Sequence, residues 1–108
     1  MKTPYDAALR AQRYEVDRLR VEAAALCAQL AACDAGIAAL DRVVADEATL
    51  ARPFDGFAAY AARIRHERAQ LEGQRLSAQR ALDAVELAVI AGWRDLKPLQ
   101  IAAEGYLA

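Results

Sequence analysis

The chain has 108 residues and a mass of 11.7 kDa, which allows one small domain and argues against a two-domain enzyme. Alanine supplies 28 residues and aromatic residues only 6%, so the composition favours helices over strands. Fourteen basic against fifteen acidic side chains give a net charge of -1, whereas general nucleic-acid-binding proteins of this size are usually basic.

The predicted compartment follows from the termini and the cysteines. We find no apolar run approaching the roughly 18 residues that span a bilayer, and the N-terminus lacks the features of a signal peptide. Cys27 and Cys33 lie six residues apart, about 240° around a helix, so they cannot bridge each other within it. Free thiols fit a reducing compartment, and we expect a cytoplasmic protein.

The first predicted element is a long helix over residues 4–51. Thr3, Pro4 and Asp6 supply a capping hydroxyl, a proline at the first helical position and an acid near the positive end of the helix dipole. A heptad repeat places Leu9, Val16, Ala23, Leu30, Ile37 and Val44 at position a, and Tyr5, Gln12, Leu19, Leu26, Cys33, Leu40 and Glu47 at position d. Six heptads with so few polar exceptions indicate a narrow coiled-coil seam, by which we mean the a and d positions.

A turn over residues 52–56 and a second helix over residues 56–97 follow. Pro53 stops the first helix, and Asp55 is suited to cap the next one. The second heptad repeat places Phe57, Ile64, Leu71, Ala78, Val85 and Gly92 at d, and Ala61, Arg68, Arg75, Leu82, Val89 and Leu96 at a. Pro98 is expected to end or kink this helix, which leaves residues 98–108 as a short tail.

The two seams fit each other in an antiparallel arrangement. Facing residues have numbers that add up to 108, which centres the hairpin inside the turn and gives the pairs Leu19–Val89, Ala23–Val85, Leu26–Leu82, Leu30–Ala78, Ile37–Leu71 and Val44–Ile64. In this register Arg68 and Arg75 lie next to Asp41 and Asp34, which can neutralise them. The sequence therefore predicts an all-α fold in which two long helices form an antiparallel coiled-coil hairpin, a rod of roughly 60 to 70 Å.

The residues that commonly carry chemistry do not converge in this arrangement. His66 is the only histidine and lies in a charged helical stretch, where a solvated side chain is the favoured interpretation. Cys33 is at a core position, the two cysteines lack zinc-site spacing, and no glycine-rich phosphate loop is present. We expect no catalytic, cofactor or metal residues and no enzyme activity.

A cluster of three arginines, Arg63, Arg65 and Arg68, invites a phosphate-binding or acidic-partner interpretation. The favoured alternative is a helix face paired with Asp34, Asp41 and Asp46 across the hairpin. We therefore expect no nucleic-acid partner.

Large apolar residues also fall away from the seam. Tyr14, Val21 and Leu87 occupy position f, Ile90 position b and Trp93 position e. Several such residues near one end of the predicted hairpin, including the only tryptophan, indicate a surface for a partner or a second copy. These five are the candidate partner-binding residues.

Two segments of the second helix carry a family resemblance. The segment 56–65, Gly-Phe-Ala-Ala-Tyr-Ala-Ala-Arg-Ile-Arg, follows the break, and the segment 91–97, Ala-Gly-Trp-Arg-Asp-Leu-Lys, closes the helix. Together with the heptad helix before the break, they resemble the FliJ family of flagellar export proteins. The specific part of the likeness lies in Phe57, Tyr60, Trp93, Leu96 and Lys97.

The resemblance implies a cytoplasmic coiled-coil component of the type III flagellar export apparatus, similar to the central stalk of rotary ATPases. It implies partners as well: the hexameric export ATPase, the membrane export gate and export chaperones, with contact to the membrane only through them. The ATPase would be engaged by the end of the rod that the chain termini form. The alternative is a generic self-associating structural or adaptor module. We expect a monomer if the chain is an export stalk and a weak homodimer if it is a self-associating module.

Overall fold

The computed structural model describes residues 2–48 and 56–108, and almost all of them lie in two long helices. Helix α1 spans Asp6–Ala48 and helix α2 spans Phe57–Leu107. The described residues include no strand. The prediction of an all-α fold with two long helices is confirmed.

The start of α1 has the predicted cap. The Tyr5 backbone N–H donates to the Thr3 hydroxyl over 3.2 Å, while the Asp6 carboxylate accepts hydrogen bonds from the Thr3 hydroxyl and the Thr3 backbone N–H. This reciprocal arrangement is a capping box, which satisfies backbone donors that a helix start leaves open. The two hydrogen bonds from Thr3 hold the pKa of Asp6 below its ordinary value.

The predicted end of the first helix and the turn before residue 56 lie outside the described residues. The description resumes at Gly56, which has φ +81°, a conformation that glycine adopts without a steric penalty. The Gly56 carbonyl then accepts the Tyr60 N–H over 2.9 Å, which is the first hydrogen bond of α2.

The predicted C-terminal tail is wrong, because α2 continues through Pro98 to Leu107. Pro98 lies at position c, exposed and away from the seam, so its ring and its missing N–H disturb only the outer side of the helix. The heptad repeat continues past it with Leu99 at d and Ala103 at a. These two residues pack with Leu9 and Tyr5, and the burial of that cluster outweighs the local cost of the proline.

The chain divides into two compact units, each made of one stretch of α1 and one stretch of α2. Unit 1 contains residues 2–26 and 81–108, and unit 2 contains the described part of residues 27–80.

Unit 1 has an apolar seam in the predicted antiparallel register. Val16 and Gly92 have numbers that add up to 108, and a Cβ placed on Gly92 would lie 2.8 Å from the Val16 Cγ2. Gln12, a polar residue at a seam position, donates from its Nε2 to the Gly92 carbonyl over 3.1 Å. The buried apolar side chains of this unit are those of Leu9, Val16, Leu19, Leu82, Val85, Leu96 and Ala103.

Unit 2 keeps the same register but includes charged residues in its seam. The Arg68 Nε donates to the Asp41 Oδ1 over 2.8 Å, and the Arg75 Nε donates to the Asp34 Oδ1 over 2.6 Å. Both neutralising pairs are those that the heptad register predicts. Buried apolar residues are fewer in this unit: Cys33, Ile64 and Ala78.

The hydropathy of α1 corrects the expectation that no segment of the chain approaches the length and apolar character of a membrane span. By length and composition alone, an 18-residue window within Asp6–Glu47 reaches a mean hydropathy of 1.6 and is apolar enough to cross a membrane, with 6% of the window buried. Alanine has positive hydropathy, so the many alanines of this helix raise the average without a long run of large apolar side chains. An alanine-rich helix of a coiled coil therefore reaches the same mean hydropathy as a membrane-spanning helix.

Candidate partner-binding surface

All five candidate partner-binding residues lie in unit 1 and are exposed. Tyr14 and Val21 of α1 and Leu87 of α2 are each about 70% exposed, while Ile90 and Trp93 of α2 retain 48% and 47% of their surface. This exposure agrees with heptad positions outside the seam. Their role in binding stays a prediction.

The structure brings two of the five together through an arginine of α1. The Arg20 guanidinium carbon lies 5.7 Å from the centre of the Trp93 ring, which is within cation–π range. Arg20 also lines a shallow groove of about 470 Å³ with Ile90, Ala23, Val89 and Glu86. Ile90 and Trp93 thus share one neighbourhood at the junction of α1 and α2.

The other candidates separate by helix. Tyr14 and Val21 are seven residues apart, so they share the outer face of α1, opposite its seam. The other three candidates, Leu87, Ile90 and Trp93, lie on α2. The five residues therefore form two surfaces, of which the one on α2 contains three.

The exposed apolar surface of α2 continues past Trp93 to Ile101, beyond the residues predicted from the sequence. Ile101 is 59% exposed, and it lines a second shallow depression with Arg94, Lys97, Pro98 and Ala102. At about 100° of rotation per residue, one arc of about 120° contains all six members of what we call the Trp93 face. These members are Leu87, Ile90, Trp93, Arg94, Lys97 and Ile101.

Ile101 was not predicted, because Pro98 was expected to end the helix and leave residues 98–108 as a tail. The signal that identifies it is the continued heptad: Leu99 pairs with Leu9, and Ala103 with Tyr5, at the same sum of 108. Once α2 continues past Pro98, Ile101 falls at position f with Leu87 and Arg94. Leu76 of unit 2 is also exposed, at 51% and position b, but it lies outside this face.

The Trp93 face includes two cations, Arg94 and Lys97. Among the described residues, Arg94 and Lys97 have no carboxylate oxygen within salt-bridge distance, and both side chains are exposed. Arg18, by contrast, lies between Glu15 at 2.6 Å and Glu22 at 3.6 Å on α1, and its hydrogen bonds hold the pKa of Glu15 below its ordinary value. The Trp93 face therefore combines apolar side chains with charge that the chain does not neutralise.

The arginine cluster of unit 2 is engaged within the chain at two of its three members. Arg68 binds Asp41 across the helices and Glu72 one turn along α2, and the hydrogen bond from Arg68 lowers the pKa of Asp41. Arg63 lies 5.4 Å from the centre of the Tyr60 ring instead of pairing with an acid. The predicted pairing is confirmed for Arg68; Asp34, which was assigned to the same cluster, binds Arg75.

Unit 2 also has an apolar groove beside the start of α2. The groove has a volume of about 270 Å³ and is lined by Phe57, Tyr60, Ile64 and Val44, with Glu47 and Arg65 at its polar side. The Glu47 Oε2 atom is buried and has no hydrogen-bond partner among the described residues. Residues 49–55, which adjoin this groove in the chain, are outside the description.

The remaining reactive side chains lie apart from one another. His66 and Cys27 are exposed, and Cys33 is buried in the seam as predicted. Across residues 2–48 and 56–108, no group of three His, Cys, Asp or Glu side chains is placed to hold a metal ion.

Comparisons with known proteins add no relative: no protein-family model, curated protein or solved structure matches this chain. Evidence about function therefore comes from the fold and from the candidate surface.

Proposed function

We propose that this chain is a non-catalytic coiled-coil component of the flagellar type III protein export apparatus. In this role it acts in the cytoplasm as a stalk-like partner of the export ATPase and the export gate, and it handles export chaperones. It reaches the cytoplasmic face of the inner membrane only through those partners.

The observation that carries the proposal is the exposed Trp93 of unit 1. Trp93 keeps 47% of its surface exposed and lies beside Ile90 and under Arg20. Exposure of so large an apolar side chain to water is unfavourable, and tryptophan is among the residue types most enriched at binding hot spots. Trp93 also lies in the segment 91–97, which carries the resemblance to the FliJ family. The same unit contains the described N-terminal and C-terminal residues, which is the end through which such stalks engage the ATPase.

The rest of the architecture supports a mechanical role over a chemical one. Within each unit the seam of α1 pairs with α2 in one register, so the exposed side chains of that unit project from a packed pair of helices. The depressions beside Ile90 and Pro98 are shallow, and the charged side chains that line them are Arg20 with Glu86 and Arg94 with Lys97. Such a scaffold suits docking and coupling between larger proteins.

The test is affinity capture of the tagged chain from flagellated cells of its own source, followed by mass spectrometry. We expect the export ATPase or a gate component among the captured proteins, and we expect Trp93→Asp to reduce its recovery. Recovery of the tagged chain alone, from cells shown to be assembling flagella, would count against the export role.

A second candidate is a self-associating structural or adaptor module. It is favoured by the exposure of Leu87, Tyr14 and Val21, each about 70%, because such side chains can form a second helix-helix seam between two copies. This candidate requires a concentration-dependent dimer. Sedimentation equilibrium across the micromolar range decides it, since a monomer at every concentration would exclude it.

A further inference from the structure

We propose that the Trp93 face binds an acidic amphipathic helix of a partner protein, with the apolar side of that helix on Ile90, Trp93 and Ile101 and its carboxylates on Arg94, Lys97 and Arg20. This inference rests on the proposed docking role of unit 1 and names the chemistry of the segment that docks there.

The length and shape of the face fit a helix. From Leu87 to Ile101 the face follows α2 for fourteen residues, or about 21 Å, which corresponds to about four turns of a partner helix. Two shallow depressions lie along it, one beside Ile90 and one beside Pro98. Knobs spaced three or four residues apart on a partner helix reach both.

The chemistry of the face specifies an acidic partner. Its apolar members alternate with Arg94 and Lys97, whose charges have no carboxylate partner among the described residues, and the Arg20 guanidinium lies over the Trp93 ring. Glu86 and Glu104 border the face at its two ends. Glu86 lines the depression beside Ile90 together with Arg20. From Ile90 to Ile101 the charged members of the face are Arg94 and Lys97, so a helix with acids at matching positions is selected over a basic one.

The charge of the whole unit favours a protein helix over a membrane surface. Unit 1 contains seven Lys and Arg against eight Asp and Glu, so an anionic bilayer, which responds to the charge of the whole unit, gains little from it. A single helix about 10 Å wide contacts only the cations of the face. Local complementarity is thus available to a helix and not to a flat anionic surface.

The experiment uses Trp93 itself as the reporter, because it is the only tryptophan of the chain. A synthetic peptide of about three heptads, with Leu at seam positions and Glu at the others, is titrated into the full chain while the emission is recorded. We expect a saturable blue shift that weakens as salt rises, and no comparable shift with the matched peptide in which every Glu is Lys.

Charge-reversal variants locate the binding site. Arg94→Glu combined with Lys97→Glu is expected to weaken acidic-peptide binding by about tenfold, because both side chains are exposed and the fold does not depend on them. The matched control is Arg42→Glu combined with Arg80→Glu, which makes the same change of charge at exposed f positions of unit 2 and should bind as the parent does. Circular dichroism establishes that both variants are helical.

Four outcomes overturn the proposal. Equal binding of the Glu and Lys peptides removes the role of charge, and an equal loss in the control variant removes the assigned location. A blue shift with vesicles of phosphatidylglycerol and phosphatidylcholine, without one from the acidic peptide, indicates a membrane surface instead. Cellular capture separates this inference from the proposed function. If capture recovers an export component that Arg94→Glu with Lys97→Glu still binds, this inference fails while the proposed function stands. If the parent chain recovers no export component, the proposed function fails, and the peptide titration still decides the inference.

Discussion

Unit 1 and unit 2 use the same pairing register but stabilise it differently. In unit 1 the helices are joined by apolar burial around Val16, Leu82 and Leu96, whereas unit 2 places Arg68 and Arg75 at seam positions and pairs them with acids of α1. Among the described residues, unit 1 also has most of the large exposed apolar side chains, while unit 2 has Val44 and Leu76. The comparison indicates that the seam of unit 2 contains charges that are neutralised across the helices, whereas unit 1 has the larger exposed apolar surface among the described residues.

The largest expected difference between the units comes from truncating one seam leucine in each. Leu96→Ala should lower the free energy of unfolding by about 2 to 4 kcal/mol, because Leu96 is 3% exposed and packs in the cluster with Leu9 and Ala103. Leu71→Ala in unit 2 should cost about 1 to 2 kcal/mol, since its side chain is half-buried. Urea titration followed by circular dichroism measures both; equal costs would contradict the assignment of the better-packed seam to unit 1.

Gly92 of unit 1 and Gly73 of unit 2 provide a second comparison, with smaller expected changes in the free energy of unfolding. Gly92 faces Val16 so closely that a Cβ would lie 2.8 Å from its methyl carbon, and Gly92→Val should therefore destabilise the fold by about 1 to 3 kcal/mol through overpacking. Gly73 has no atom within 4 Å of that position, so Gly73→Ala should stabilise α2 by about 0.5 to 1 kcal/mol. Thermal melts of the two variants should shift in opposite directions, and a shift of the same sign would be evidence against this packing.

The smallest effect is the acid dependence of unit 2. Arg68 lowers the pKa of Asp41 below its ordinary value of 3.8, so the stabilisation from this pair is present above that value and is lost as pH falls through the lowered pKa. In Arg68→Gln the pKa of Asp41 should return toward 3.8. Carboxyl-carbon NMR titration of both proteins measures the change, and an Asp41 pKa that the substitution leaves unaltered would show that the pair does not persist in solution.

Much of the fold was predictable because heptad spacing encodes it directly. The pairing of Arg68 with Asp41 and of Arg75 with Asp34 followed from one register that also placed Val16 opposite Gly92. The end of α2 was not predicted, because a proline inside a helix is usually read as a terminator. Here the residue lies on the solvent side, and the buried contacts of Leu99 and Ala103 continue beyond it.

The candidate site was predictable only in part. Heptad positions identified Leu87, Ile90 and Trp93 as residues that point away from the seam, and they are exposed. The same positions do not specify which exposed residues share a neighbourhood, since that depends on both helices. The contact of Arg20 with Trp93 and the extension of the surface to Ile101 required the packed structure.

The central claim is that unit 1, and not unit 2, presents the binding surface, and one matched pair of variants tests it most directly. Ile90 and Leu76 both occupy position b of α2, two heptads apart, with 48% and 51% of their surfaces exposed. Capture of partners from flagellated cells is compared for Ile90→Asp and Leu76→Asp, after circular dichroism establishes that both are folded. Our account predicts that Ile90→Asp loses most of the captured partner and that Leu76→Asp retains it; equal recovery by the two variants, or loss only in Leu76→Asp, would contradict it.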